Sequence, residues 1–123
     1  MKGRAVGANS VAGNATENNV TIGVGATVDG FVAGGLTADG TANGNTVTLD
    51  GVKIGKIGED GSVTGGNAYG GYSAQGTAEK NTLTMDGSAV YNDAYGGYAP
   101  KGAATGNTLE MKNESSVGTD EYG

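Results

Sequence analysis

One pattern recurs four times along this chain, and it restricts the fold more than any other feature. Asn18, Asn45, Asn81 and Asn107 each lie five residues after a glycine, namely Gly13, Gly40, Gly76 and Gly102. An alternating segment follows each one: Asn19-Val20-Thr21-Ile22, Thr46-Val47-Thr48-Leu49, Thr82-Leu83-Thr84-Met85 and Thr108-Leu109-Glu110-Met111. Upstream stands an anchor, clearest in Tyr69-Gly70-Gly71-Tyr72 and Tyr95-Gly96-Gly97-Tyr98. Ala33-Gly34-Gly35-Leu36 and Val6-Gly7-Ala8-Asn9 are degenerate copies. The asparagines are 27, 36 and 26 residues apart, so the second unit carries about ten extra residues, placed around 52–66.

Repeats of this length, whose chief regular element is a short alternating strand, match one coil of a parallel β-helix. The expectation is an all-β chain: a right-handed parallel β-helix, or β-solenoid, of about 26–27 residues per coil with two or three short strands in each, the second a weaker one around Thr27-Val28 and Ala89-Val90 that runs toward the anchor. Residues 1–123 read as one repeat-built unit, divided near 9–35, 36–71, 72–97 and 98–123. The match of Val117–Gly123 to Val90–Gly96 stops halfway through an anchor, which predicts neighbouring coils or end-to-end self-association.

Alternation sets the facing. Val20, Ile22, Val47, Leu49, Leu83, Met85, Leu109 and Met111 should point inward as a structural core, each about 4.8 Å from its equivalent one coil away. Thr21, Thr46, Thr48, Thr82, Thr84, Thr108 and Glu110 then point outward. Asn18, Asn45, Asn81 and Asn107 suit a structural ladder at a sharp corner, where asparagine tolerates left-handed backbone angles and its amide can bond along the stack. Gly34, Gly35, Gly70, Gly71, Gly96 and Gly97 read as turn glycines. Gly51 and Gly87 mark a second turn after the strand, with Gly23 as the counterpart in the first unit.

Composition enters where order and chemistry are at issue. The 26 glycines exceed the ordinary share of about 7% and would suggest disorder, but they recur at matched positions and the net charge is only -6. With 13 acidic against 7 scattered basic residues there is no phosphate-binding stripe, so no nucleic acid is expected as partner. The longest apolar runs are far too short to span a bilayer, so no direct membrane insertion is expected.

No histidine or cysteine is present, which removes a His-based triad and thiolate metal sites. Glu59-Asp60, Asp93 and Asp120-Glu121 are the acids a glycosidase would need, but nothing in their spacing pairs them, so no catalytic residue is assigned. The nonapeptide calcium repeat and the EF-hand loop are both missing. Asp50 and Asp86 are equivalent while Lys112 takes that place in the last unit, so calcium is expected only as a weak, adventitious ligand.

Tyr69, Tyr72, Tyr91, Tyr95 and Tyr98 are the candidates for surface binding, because tyrosine offers large contact areas to sugars and apolar protein surfaces. Tyr69 should pair with Tyr95, and Tyr72 with Tyr98, on adjacent coils. Their odd separation puts the two pairs on opposite faces of a straight strand unless the intervening glycines make a corner.

Gly44-Asn45-Thr46-Val47-Thr48-Leu49-Asp50-Gly51, Gly106-Asn107-Thr108-Leu109 and the Tyr-Gly-Gly-Tyr anchors resemble the glycine-rich passenger repeats of bacterial autotransporter adhesins. That resemblance covers nearly the whole chain. It implies a non-catalytic adhesin or surface stalk segment, extracellular or on the bacterial surface, with a host-surface protein or glycan as partner and no cofactor. Val6–Ala15 also looks like the heads of trimeric autotransporter adhesins, which would imply an obligate trimer. A self-assembling extracellular filament and an ice-binding solenoid, the latter from Thr46-x-Thr48 and Thr82-x-Thr84, stand as alternatives.

Overall fold

A computed structural model describes residues 3–118 and 120–122, and among these no residue is helical. The chain runs through successive circuits of strands. The first holds β1 (Ala5–Ser10), β2 (Ala15–Thr16), β3 (Asn19–Ile22) and β4 (Thr27–Val28). The second holds β5 (Phe31–Thr37), β6 (Ala42–Asn43), β7 (Thr46–Asp50) and β8 (Lys53–Ile54), followed by a hairpin of β9 (Lys56–Ile57) and β10 (Val63–Thr64). The third holds β11 (Asn67–Ser73), β12 (Ala78–Glu79), β13 (Thr82–Asp86) and β14 (Ala89–Val90). The fourth holds β15 (Asp93–Tyr98), β16 (Ala104–Thr105), β17 (Thr108–Lys112) and β18 (Ser116–Val117), and β19 (Asp120–Tyr122) begins another.

Equivalent strands of successive circuits pair in parallel, giving a first sheet of five strands and three further sheets of four. Each circuit thus has four strands where two or three were expected. The fourth-sheet strands include the weaker one expected around Thr27-Val28 and Ala89-Val90, whereas those of the second sheet, such as β6, are two residues long, too short for any alternation to show in the sequence.

The interior is a set of columns. Val20, Val47, Leu83 and Leu109 stand in register, as do Ile22, Leu49, Met85 and Met111. A third column joins Val28, Ile54, Val90 and Val117. Val47, Leu49, Leu83 and Met85 are wholly buried, and each such side chain contributes about 1.5–3 kcal/mol by leaving water. Val20, Ile22, Leu109 and Met111 have a neighbour on one side only and are half-buried. On the side of β3 this leaves an open recess of about 720 Å³, lined by Ala5, Val20, Ile22 and Ala26 among others.

Lys53–Ile54 pair with Thr27–Val28 and with Ala89–Val90, so Val52 to Ile54 belong to the regular circuit. The extra chain, expected around 52–66, begins after Ile54 and forms the hairpin, where Val63 lies opposite Ile57. The left-handed backbone at the second-to-third-sheet corner also differs from expectation. It falls on the residue before each asparagine: Glu17 (φ 53), Gly44 (φ 67), Lys80 (φ 53) and Gly106 (φ 64). Placing the twist one residue earlier turns the asparagine side chain into the interior. After the third sheet, Gly51 (φ 63) and Gly87 (φ 58) take positive angles, but in the first circuit Gly25 (φ 84) does so instead of Gly23. That turn is one residue longer, which moves the reversal along the chain.

Candidate functional site

Two interior ladders hold the surface above them. Asn45 is fully buried and donates from its backbone N–H (3.0 Å) and from Nδ2 (2.8 Å) to Oδ1 of Asn81, while a second Nδ2 hydrogen goes to the Ala15 carbonyl at 2.9 Å. Asn18 makes the same pair of bonds to Asn45, and Asn81 makes them to Asn107. Every donor and acceptor of the Asn45 and Asn81 amides is therefore satisfied inside the protein, which is what burial of an amide requires. A second ladder has no counterpart in the sequence reading. Thr37 Oγ1 donates to the Gly13 carbonyl and accepts from Gly40 N–H, and Ser73 does the same with Gly40 and Gly76. Its signal was a hydroxyl residue three positions before the first three marker glycines, Ser10, Thr37 and Ser73, with Ala99 before the fourth.

The anchor glycines set the geometry of the first sheet. In the pairing of β11 with β5, Tyr69 faces Ala33 and Gly71 faces Gly35, with no bridge at Gly70. A Cβ on Gly70 would lie 2.9 Å from the Thr82 backbone, and one on Gly71 would lie 2.4 Å from Cγ of Asn81. Two consecutive residues thus turn their bare side inward. Gly34 and Gly35 meet Asn45 in the same way, Gly96 meets Thr108 and Gly97 meets Asn107. The strand loses its alternation there, so residues three apart share a face.

All four anchor tyrosines consequently gather on one outer face. Tyr69 and Tyr95 stack with centroids 5.3 Å apart and planes inclined by 11°, and Tyr72 and Tyr98 lie 5.3 Å apart. Across the glycines, Tyr69–Tyr72 is an edge contact at 5.1 Å and Tyr95–Tyr98 a tilted one at 4.5 Å. Gly34, Gly35, Gly70, Gly71, Gly96 and Gly97, expected at turns, thus lie inside the continuous strands β5, β11 and β15, and the kink that their bare inner side permits within the strand, not a corner, makes one cluster of four rings. Phe31, which sequence reasoning missed, extends the cluster by an edge contact with Tyr69 at 6.1 Å, and the Arg4 guanidinium sits 5.7 Å over the Phe31 ring.

The candidates differ in access. Tyr69 is only 9% exposed, and its hydroxyl accepts from Asn67 Nδ2 at 3.1 Å. Burial pushes its hydroxyl up to about 12. Tyr72, Tyr95 and Tyr98 are half-buried. The Tyr95 hydroxyl donates to Asp93 Oδ2 at 3.3 Å, and burial followed by the Asp93 charge raises its pKa. Asp93 Oδ1 is buried with no partner among the described residues. Tyr91 lies outside the ring cluster, at the corner where the hairpin leaves the stack; a Cβ on Gly55 would approach Tyr91 Cβ to 3.1 Å. The hairpin carries Ile57 (55% exposed) and Val63 (45%) side by side.

Elsewhere, Asp60 Oδ1 accepts from Ser62 N–H and Oγ–H within the hairpin turn, and these bonds hold its carboxyl below the usual range. The side chains of Asp120 and Glu121 lie outside the described residues. Among the described residues no three acidic side chains form a metal-holding group. On the third sheet Thr46, Thr82 and Thr108 make one outer row and Thr21, Thr48 and Thr84 another, ended by Asn19 and Glu110. No protein-family model, curated protein or solved structure matches this chain.

Proposed function

We propose that this chain is a non-catalytic extracellular adhesin or surface stalk segment, built as a right-handed parallel β-solenoid of the autotransporter-passenger kind. Four parallel sheets visited in turn support the solenoid, and the strong preference of parallel crossovers favours the right-handed sense. The observation that carries the adhesive reading is the tyrosine cluster: three half-buried phenol rings held at fixed spacing by buried ladders, a rigid aromatic surface with polar rims. Such a surface suits a host-surface protein or glycan, because rigid aromatic contacts lose little conformational entropy on binding. The exposed Ile57–Val63 pair on the hairpin offers a separate apolar contact.

A binding screen against surface glycans and matrix proteins tests this. Tyr72→Ala with Tyr98→Ala, and separately removal of residues 55–66, should each weaken retention at least ten-fold. Undiminished retention by both variants rejects the site.

The registered threonine rows favour a second reading, an ice-binding face. Hydroxyls repeating about 4.8 Å across the strands and about 6.6 Å along them form a small regular grid. Thermal hysteresis at high protein concentration tests it, and its absence eliminates the reading.

A further inference from the structure

We infer that Tyr95 and Tyr98 form a preorganised site of oxidative modification, at which a peroxide-driven peroxidase joins the two rings by a carbon–carbon bond within one chain. The inference does not depend on adhesion. It rests on the 4.5 Å centroid separation of two half-buried phenols and on the carboxylate beside one of them.

Oxidising a phenol near neutral pH removes an electron and a proton together, because the bare radical cation is too acidic to persist. A base already bonded to the hydroxyl therefore selects which ring reacts. Tyr95 has one: its O–H is aimed at Asp93 Oδ2, and the other oxygen of that carboxylate is buried without a partner. Tyr69 lacks one, since its hydroxyl accepts from Asn67 and the residue is 9% exposed. Burial and the Asp93 charge raise the Tyr95 pKa, so the hydroxyl keeps its proton until the electron leaves.

The step balances. Tyr95 gives an electron to the oxidised peroxidase and its proton to Asp93, which passes it on to solvent, while Tyr98 gives an electron to the same oxidant and its proton to solvent. The two phenoxyl radicals couple at ring carbons next to the hydroxyls, and each ring then moves its displaced hydrogen to oxygen. The two electrons reduce one hydrogen peroxide to two waters, so the protein loses two hydrogen atoms. The bond spans the Gly96–Gly97 kink and locks it. The Tyr69–Tyr95 stack, at 11°, holds the Tyr95 ring still while the half-exposed Tyr98 swings to meet it.

The test treats the full chain with a haem peroxidase and hydrogen peroxide and isolates the monomer by size exclusion. Expected are dityrosine fluorescence in the monomer, an intact mass lower by two hydrogen atoms, and no fragment ions from breaks between residues 95 and 98. Tyr98→Phe, which keeps the ring, should cut the monomeric product at least ten-fold, and Tyr91→Phe should not. Asp93→Asn should slow its formation several-fold, with Asp93→Glu restoring the rate. Dityrosine confined to dimers, a link mapped to other rings, or Asp93→Asn reacting at the full rate would overturn the inference.

Discussion

Gly71 lies flat against the Asn81 amide, so close that an added Cβ would stand 2.4 Å from Asn81 Cγ. Neither partner can move, because Asn81 is fully buried and bonded to Asn45, Asn107 and the Ala42 carbonyl. Gly71→Ala is therefore expected to destabilise by about 3 kcal/mol, at the upper end for overpacking. Gly87→Ala is the contrast: its Cβ would have room, at 3.7 Å from the nearest atom, but its φ of 58° costs about 1–2 kcal/mol. Urea midpoints measure the difference, and equal losses would contradict it.

Asn81→Ala removes the acceptor of two Asn45 donors and the Nδ2 donor to Ala42 in a dry interior. With about 1–3 kcal/mol for each orphaned buried group, a loss of about 4 kcal/mol or more is expected. Asn18→Ala, in the half-exposed first circuit, should cost about 1 kcal/mol. Denaturant unfolding of the two variants checks the gradient.

Lys80 adopts φ 53 at a corner where two other circuits use Gly44 and Gly106. Replacing it with glycine releases left-handed strain of about 1–2 kcal/mol, partly offset by the greater freedom of glycine when unfolded. Lys80→Gly should raise stability by about 0.5–1 kcal/mol, seen as a higher thermal midpoint. A lower midpoint would show that the Lys80 side chain has a stabilising role that outweighs the strain.

Tyr69 titrates near 12 in the folded protein against 10.0 when free, so the folded state holds this proton more tightly. Its contribution is complete below about pH 10 and is lost as pH rises toward about 12, by an amount on the order of 2 kcal/mol. Tyr95, raised by burial and by Asp93, acts in the same direction. Urea midpoints between pH 9 and 12 should fall with phenolate absorbance, on the order of pH 10–12. Tyr69→Phe should flatten that fall; an unchanged slope would exclude Tyr69 as its source.

The parts most legible in the sequence were those that repeat with bulk. Val47, Leu83 and Leu109 announce themselves by alternation, and Asn45, Asn81 and Asn107 by spacing, because a column in a stack of parallel strands must recur once per circuit. The two-residue strands of the second sheet, such as Ala42–Asn43, were illegible, since two residues define no period, whereas Thr27-Val28 and Ala89-Val90 could be placed by their position before the anchor. The shared hydroxyl contacts of Thr37 and Ser73 were hidden for another reason: threonine and serine are common in any turn.

By itself the sequence determined the stacking period, the inward-facing aliphatic positions and the circuit that carries extra chain, because strict recurrence leaves few other ways to bury so little apolar surface. Only the tertiary structure decided that Tyr69, Tyr72, Tyr95 and Tyr98 share one face. Alternation along a strand would have separated them, and it is overridden by Gly70 and Gly96, whose missing Cβ atoms let the first sheet close onto the Thr82 and Thr108 backbones. That approach depends on a contact between residues 12 apart in sequence and adjacent in space, which no local pattern expresses.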